Sequence, residues 1–343
     1  MKAVIMGRNK GGAVSASVEE VDEPTIAEGD ILVKMLACGL CGTDIEKIRG
    51  EYTAAMPVLG HEAVGEVAES GARGFKKGER VFPHHHVPCG ECRLCRSGAP
   101  TMCERYRTSN LSPGGFSEKF QVPRWNVEKG GVLRLPESVS SERAALIEPL
   151  ACCIRAIDRL GVVEGDSALV VGAGPVGLMH AIYLQSLGVQ PILTDVSQAR
   201  VDFATGLGFD ALRADKVNVG VESRKRTGGA GVDEVIVASG SPKAIVQGLQ
   251  SVRKGGMVSL FGIPTKGVHL DYPVADIYLS EVSLIPSYGA TEVETPRALK
   301  ALLADGKKYE KLITHRFAIH DFDEAVKAAE SGSAMKVLIL PQT

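Results

Sequence analysis

Aromatic side chains are scarce in this chain, making up 5% of its 343 residues with a single tryptophan. Its cores must therefore be built mainly from Val, Leu, Ile and Ala. An excess of charge is also lacking: 39 Lys and Arg stand against 41 Asp and Glu, a net charge of -2, and like charges never run beyond a few residues. That balance argues against a nucleic-acid footprint or a polybasic membrane patch. No run of about 18 apolar residues occurs, which argues against a membrane span. The opening Met1 to Arg8 has no apolar core of the kind a secretory signal needs. Eight cysteines are present, but a chain of this length needs no covalent staples, so reduced thiols in a cytoplasmic protein are expected. What remains, 44% hydrophobic and 23% charged residues, is the profile of a soluble globular protein long enough for two domains.

The first part of the chain reads as short strands separated by Gly and Pro: Lys2 to Met6, Ile31 to Cys38, Gly65 to Ala68, Arg80 to Pro83 and Phe116 to Pro123. From Ser140 the period changes. Arg143 to Leu160 has helical apolar spacing, and Pro149 is expected to interrupt it and to hold Glu148 at a break rather than on a helix face. Beyond it, strands at Ser167 to Val171, Pro191 to Thr194, Val232 to Ala238 and Met257 to Gly262 alternate with helices at Val176 to Leu187, Gln198 to Leu207 and Pro242 to Val252. Such alternation predicts a doubly wound parallel sheet, hence an α/β protein. The tail (helices at Pro296 to Ala304 and Phe322 to Ser331, a strand at Met335 to Leu340) breaks the alternation and is read as returning to the first domain. The expected domains are residues 1–150 with 291–343, and residues 151–290.

Cys89, Cys92, Cys95 and Cys103 follow the spacing C-x2-C-x2-C-x7-C. Four thiolates on one lobe suit a structural zinc, which wants a tetrahedron of sulfurs and leaves no place for substrate. A second set is dispersed: Cys41 ends one predicted strand, His61 precedes another, and Glu148 lies far downstream. Cysteine, histidine and carboxylate make a three-ligand zinc site with an open fourth position. Three adjacent histidines, His84 to His86, are read as structural or pocket-lining, because successive residues of extended chain point to alternate faces. Asp44 is expected to orient the metal loop by hydrogen bonds. Tyr52, Phe116 and Trp125 are candidates for a substrate pocket.

Gly172-Ala173-Gly174-Pro175-Val176-Gly177 follows a predicted strand and opens a helix. The glycines allow a tight turn, close approach of backbone to a pyrophosphate and close helix–strand packing, with the anion on the helix N-terminus. The next strand ends in Asp195, near the offset of about 20 residues expected for an acid that binds ribose hydroxyls. A carboxylate there favours NAD and repels the 2′-phosphate of NADP, while Arg200 close behind softens the choice.

Cys41-Gly42-Thr43-Asp44, Gly60-His61-Glu62, the four-cysteine lobe and the Gly172 to Gly177 turn together resemble the zinc-containing medium-chain dehydrogenases, in order and over nearly the whole chain. Glu148-Pro149-Leu150 resembles the polyol, sorbitol-type branch, and Ile313 to Phe317 resembles a stretch of threonine and polyol dehydrogenases. The resemblance implies a GroES-like β domain followed by a Rossmann domain. It implies one catalytic and one structural zinc, the catalytic one held by Cys41, His61 and either Glu62 or Glu148. It adds cofactor contacts near Ser239, Ile263 and Tyr288, and a homotetramer or homodimer. The expected reaction is NAD-dependent oxidation of a secondary alcohol or polyol, with Thr43 as first proton acceptor. An L-threonine or sugar and cyclitol dehydrogenase, and a non-catalytic nucleotide-binding protein on the same fold, are the competing readings. One departure stands out: where many relatives carry a relay histidine five residues after the cysteine ligand, this chain has Glu46.

Overall fold

The computed structural model describes residues 1–8, 14–51, 58–264 and 267–342. The chain divides into two compact units, Met1–Ala151 with Ala290–Thr343, and Cys152–Gly289.

The first unit is organised around the strand Ile31–Leu40, whose burial on nearly every position matches its run of apolar residues. It pairs antiparallel with Glu62–Ser70, Lys119–Val122 and Lys336–Leu340. The sheet continues through Arg80–Pro83 to Val132–Arg134 on one side, and on the other Ile313–Ala318 runs parallel to Lys336–Leu340. A separate antiparallel pair is formed by Lys2–Arg8 and Val14–Glu20. The tail thus supplies two strands to the sheet built on Ile31–Leu40. Few aromatics enter this core; Phe116 and Phe322 meet at 5.2 Å between ring centroids, Phe120 joins them, and the rest is mainly Val, Leu, Ile and Ala.

The second unit is a six-stranded, wholly parallel sheet in the order 210–213, 190–195, 167–171, 232–237, 252–260, 283–286. The chain winds outward from Ser167–Val171 to one edge, then crosses back to build the other half, which leaves a topological switch between Ser167–Val171 and Val232–Val237. Both faces of the central strands are covered, and Leu169, Val170, Val235 and Ile236 are fully buried, as expected for strands of near-continuous apolar sequence.

Two readings of the sequence change here. Pro149 does not interrupt a helix: the break falls at Ala145–Leu146, and Ile147–Leu160 is continuous with Glu148 and Pro149 in its first turn. The first-turn N–H groups have no intrahelical partner, so proline costs nothing at that position. The strand Asp210–Arg213 and the helix Val219–Arg226 were also not expected; the helix is capped by the Asn218 side chain, which accepts from the Val221 N–H at 3.0 Å.

Glu234, on the fourth strand of this sheet in chain order, is buried beside Asp166 and Asp233. Burial first, then the charges of Asp166 and Asp233, push its carboxyl up to about 8 from an ordinary 4.5. The folded state therefore holds a proton that the unfolded chain releases, and stability falls as pH rises between those two values. Glu234→Gln removes that loss. The variant is expected to melt higher than the wild type at pH 8 and about level with it at pH 4.5, a gain of about 1 kcal/mol after allowing for solvent near the cluster. Thermal melts across that pH range check it.

Candidate active site and metal centres

Cys41 follows the long strand directly and caps the short helix Gly42–Ile48, while His61 and Glu62 begin the neighbouring strand. Asp44 ties the two segments together. Fully buried, it accepts from the Cys41 N–H at 3.1 Å and the Gly60 N–H at 3.2 Å, and its Oδ1 lies 3.4 Å from His61 Nδ1. Burial alone would raise the Asp44 carboxyl, but the His61 and Lys47 charges and its hydrogen bonds hold it below the usual carboxylate range. A carboxylate on Nδ1 orients the ring and leaves the other nitrogen for a metal. Burial would likewise depress His61, but the charges of Asp44 and Cys41 outweigh it and lift the imidazole well above its ordinary value. Ligand atoms of Cys41, His61 and Glu62 lie within 4.8 Å of one another. A thiol, an imidazole and a carboxylate gathered this closely, on two segments tied together by Asp44, fit a zinc ion.

Glu62 has a partner that the sequence did not disclose. Lys336, on the last strand, is 4% exposed; its Nζ donates to Glu62 Oε1 at 2.6 Å, meets Oε2 as well, and donates to the Leu40 carbonyl at 3.2 Å. Burial opposes the Lys336 charge, yet Glu62 and Cys41 raise its affinity for the proton. Room for this pair comes from Gly39: a Cβ there would collide with Glu62 Oε2 and stand 2.8 Å from the Lys336 side chain. Gly39→Ala is therefore expected to displace Glu62 and weaken zinc retention by about 10–100-fold, the usual cost of disturbing a ligand's support. Competition against a chromogenic chelator measures it.

Glu148 is placed differently. It is buried at 6% exposure, and its ligand atom groups with His84 and His85 rather than with Cys41 and His61. Burial above all depresses the three neighbouring imidazoles, His84 to about 3 and His86 to about 4, with His85 also well below its ordinary value. They are neutral rings. The expectation that His84 and His85 face apart does not hold, because the strand Arg80–Pro83 ends before them and the chain bends at His85.

The four-cysteine lobe is compact. Sγ–Sγ distances are 3.8 Å for Cys89–Cys95, 3.5 Å for Cys92–Cys95 and 3.6 Å for Cys103–Cys89. Zinc–sulfur bonds of about 2.3 Å in a tetrahedron imply edges of about 3.8 Å, so the thiols already outline the ion's shell. The backbone N–H groups of Glu91 and Cys92 pull the Cys89 thiol down to about 6, which readies it as a thiolate.

In the second unit, Gly172 has φ of +108°, a conformation that favours glycine, and a Cβ on Gly177 would collide with the Gly172 carbonyl oxygen. Gly174 is different: a Cβ there would meet nothing nearer than Arg200 at 3.8 Å. Its lack of a side chain serves no protein contact and keeps open the N-terminus of the helix Pro175–Ser186, whose first residues include Pro175 and Val176. That is the cradle a pyrophosphate needs. Asp195 ends the next strand at 6% exposure; it accepts from the Ala173 N–H at 2.9 Å and the Ser197 N–H at 2.8 Å, with Arg200 Nη1 3.6 Å away. Ser239, Ile263 and Tyr288 follow the carboxyl ends of the strands at 232–237, 252–260 and 283–286. All these residues share one edge of the sheet, where nucleotides bind to such folds. A cavity of about 550 Å³ lies among loops of this edge, lined by Val217, Asn218, Lys243, Gln247 and His269 among others, and is separate from the glycine cradle.

Comparison with known proteins now adds its weight. Residues 27–135 match the alcohol dehydrogenase GroES-like domain and residues 175–304 the zinc-binding dehydrogenase family. A sorbitol dehydrogenase of Halalkalibacterium halodurans is 33% identical over 99% of both chains. The chain belongs to the zinc-containing medium-chain alcohol and polyol dehydrogenases. An L-threonine 3-dehydrogenase of Yersinia enterocolitica is 31% identical over 93% of this chain and 94% of its own. A solved Sinorhizobium meliloti protein described as a zinc-binding dehydrogenase, with NADP bound, superposes at a TM-score of 0.86 with 28% identity over 99% of each chain.

This dehydrogenase is thus an oxidoreductase that acts on a small molecule with zinc and a nicotinamide dinucleotide, and its GroES-like and Rossmann architecture is as expected. Among the described residues, no helix is long and apolar enough to cross a membrane. Of the pocket candidates, Phe116 is core, packed on Phe322. Trp125 lies under Arg105 at 4.9 Å and donates to the Val87 carbonyl at 2.9 Å, and Tyr52 is outside the described residues.

Proposed function

We propose that this dehydrogenase oxidises a secondary alcohol or polyol with NAD as hydride acceptor, in the cytoplasm. The observation that carries the reading is the convergence of Cys41, His61 and Glu62, whose ligand atoms lie within 4.8 Å of one another. These three would hold the catalytic ion, and the four cysteines at Cys89 to Cys103 the structural one. Zinc, when bound, supplies the Lewis-acid charge that makes a substrate hydroxyl acidic.

The chain's own residues do the rest. Asp44 fixes the imidazole; Lys336 balances Glu62 and limits how far its carboxylate moves. Thr43, half-buried in the first turn after Cys41, offers a hydroxyl to take the substrate proton. Glu46 lies one turn on, and burial and then the Glu51 charge raise its carboxyl toward the range where it both accepts and releases protons. It stands in for the relay histidine. Glu46→Gln is expected to alter the acidic limb of the pH–rate profile; an unchanged profile excludes this route. Asp195 supports NAD over NADP, because its fixed carboxylate suits ribose hydroxyls and repels a 2′-phosphate. Self-association as a dimer or tetramer is supported by the open edge strand Ser283–Pro286 and the neighbouring exposed Tyr278 and Leu279, and a monomer in sedimentation contradicts it.

A second reading, oxidation of an amino alcohol such as L-threonine, is favoured by the 31% identical relative; sugars and cyclitols share the same chemistry. NADH formation over polyols, aldoses, secondary alcohols and threonine, with and without a chelator, tests the reading. Chelator-sensitive turnover of a polyol or secondary alcohol is expected. Turnover confined to threonine favours the second reading.

A further inference from the structure

The acidic cluster where the strand Val232–Val237 begins carries more negative charge than its neighbours answer. Asp166, Asp233 and Glu234 each offer a carboxylate oxygen, and the three oxygens lie within 4.8 Å of one another. Glu234 is 4% exposed, and its Oε2 is sealed from solvent with no hydrogen-bond partner among the described residues. Buried polar atoms of folded proteins are almost always paired, and one that is not calls for a water or an ion. This one faces two further carboxylates, which have no proton of their own to give it.

The protein holds those two in place. Asp233 Oδ2 accepts from the Ser167 N–H at 2.8 Å and the Ser167 hydroxyl at 2.7 Å, and Asp166 Oδ2 accepts from the Val163 N–H at 2.8 Å. The Arg253 guanidinium meets Asp233 Oδ1 at 2.5 Å, one positive charge against three negative. The ladder to the next strand is interrupted at this point: Val232 pairs with Val252, but Glu234 pairs with Met257. Such an irregularity re-aims side chains, so the adjacent Asp233 and Glu234 converge instead of pointing apart. A shared proton would bridge one pair of these carboxyls and leave the remaining excess of charge in place.

We propose that Asp166, Asp233 and Glu234 form a site for a hard divalent cation, filled by calcium, at the opposite end of the parallel sheet from the glycine turn and Asp195. The donors are all oxygen, which suits calcium or magnesium and not the thiolate- and imidazole-seeking metals. Calcium bonds oxygen at about 2.3–2.6 Å in irregular geometry and so spans the cluster, with water completing its shell, whereas magnesium demands an octahedron at about 2.0–2.1 Å. The ion ties the start of the strand Ser167–Val171 to that of Val232–Val237, the two strands at the switch of the sheet. Ion and proton compete for one place. Burial, Asp166 and Asp233 make Glu234 keep its proton up to about pH 8, against the pull of Arg253, and calcium displaces that proton. The pH dependence given above for Glu234 is that of the ion-free protein.

The test is calorimetric titration of the zinc-loaded full chain with calcium chloride at pH 7, in two buffers of different ionisation heat. About one calcium per chain is expected, with a dissociation constant of about 10⁻⁴–10⁻³ M and release of about one proton, the one Glu234 gives up. Saturating calcium is expected to raise the melting temperature at pH 8 by about 2–4 °C. Glu234→Gln keeps the shape and loses the charge; it is expected to bind calcium at least about tenfold more weakly and to lose that rise. Asp166→Asn, which keeps an acceptor for the Val163 N–H, is expected to do the same. It serves as the second route if the first variant fails to fold, which loss of its melting transition reveals. Three results overturn the proposal: a wild type that responds to pH but binds no calcium at millimolar concentration, which leaves a proton as the only occupant; variants that bind as tightly as the wild type, which puts the ion elsewhere; or calcium bound with no proton released, which leaves Glu234 outside the site.

Discussion

Replacing Cys41 with serine is expected to lower kcat/KM by at least about a thousandfold, because the Lewis-acid charge on the substrate oxygen contributes several kcal/mol to the reaction. The same substitution should remove one zinc while the lobe zinc stays. The separation follows from the structure: Cys41 belongs to a strand end tied by Asp44, whereas the lobe is closed on itself by sulfur contacts of 3.5–3.8 Å. The melting temperature is expected to change little, since the strand Ile31–Leu40 keeps its three neighbours. Activity assays, metal analysis and a thermal melt on one preparation distinguish this outcome from general unfolding. A variant that keeps its zinc and its rate contradicts the assignment of Cys41.

The second large effect concerns the choice of cofactor. Asp195→Asn keeps an acceptor for the Ala173 N–H and so preserves the tie to the glycine turn, but it removes the charge. NAD loses charge-assisted hydrogen bonds, each worth about 1.5–3 kcal/mol, and NADP loses a repulsion. The ratio of kcat/KM for NAD to that for NADP is expected to move toward NADP by about a hundredfold, which corresponds to about 2.7 kcal/mol. Arg200, 3.6 Å from the carboxylate, is placed to pair with a 2′-phosphate once that charge is gone. An unchanged ratio means that Asp195 does not read the ribose.

What could be read from the sequence was largely local. The cysteine lobe is one short stretch whose spacing alone determines how sulfurs can meet. The glycine turn is a contiguous strand–turn–helix, and strands of continuous apolar sequence such as Ser167–Val171 were placed to the residue. Asp44 was legible as well through its bond to the Cys41 N–H in the loop it was expected to orient, while its ties to Gly60 and His61 cross to another segment. Interactions that span the chain were not. Lys336 is 274 positions from Glu62, and no local pattern distinguishes it from a surface lysine; only the pairing of the last strand with Ile31–Leu40 brings it inward. The grouping of Glu148 with His84 and His85 was hidden for the same reason, and also by a rule about alternating faces that applies to strands and not to the bend after Pro83. The helix Val219–Arg226 escaped notice because Gly220 and two valines give it weak intrinsic preference; its cap and its packing on the helix Pro242–Ser251 support it instead.

The division of labour among carboxylates follows from these distant contacts. Glu62 is held between an ammonium and a thiol–imidazole pair, and so its position responds to both. Glu148 sits among neutral rings. The sequence offered both as ligands of one ion; Glu62 gathers with Cys41 and His61, and Glu148 gathers with His84 and His85.

The central claim is that zinc is held by Cys41, His61 and Glu62. Anomalous scattering from crystals, collected on either side of the zinc absorption edge, tests it most directly. The account predicts a peak bonded to the Cys41 sulfur, a His61 nitrogen and the Glu62 carboxylate, in addition to one at the centre of the four lobe sulfurs. A peak in the lobe alone, with Cys41 and His61 bare in zinc-replete protein, would contradict it.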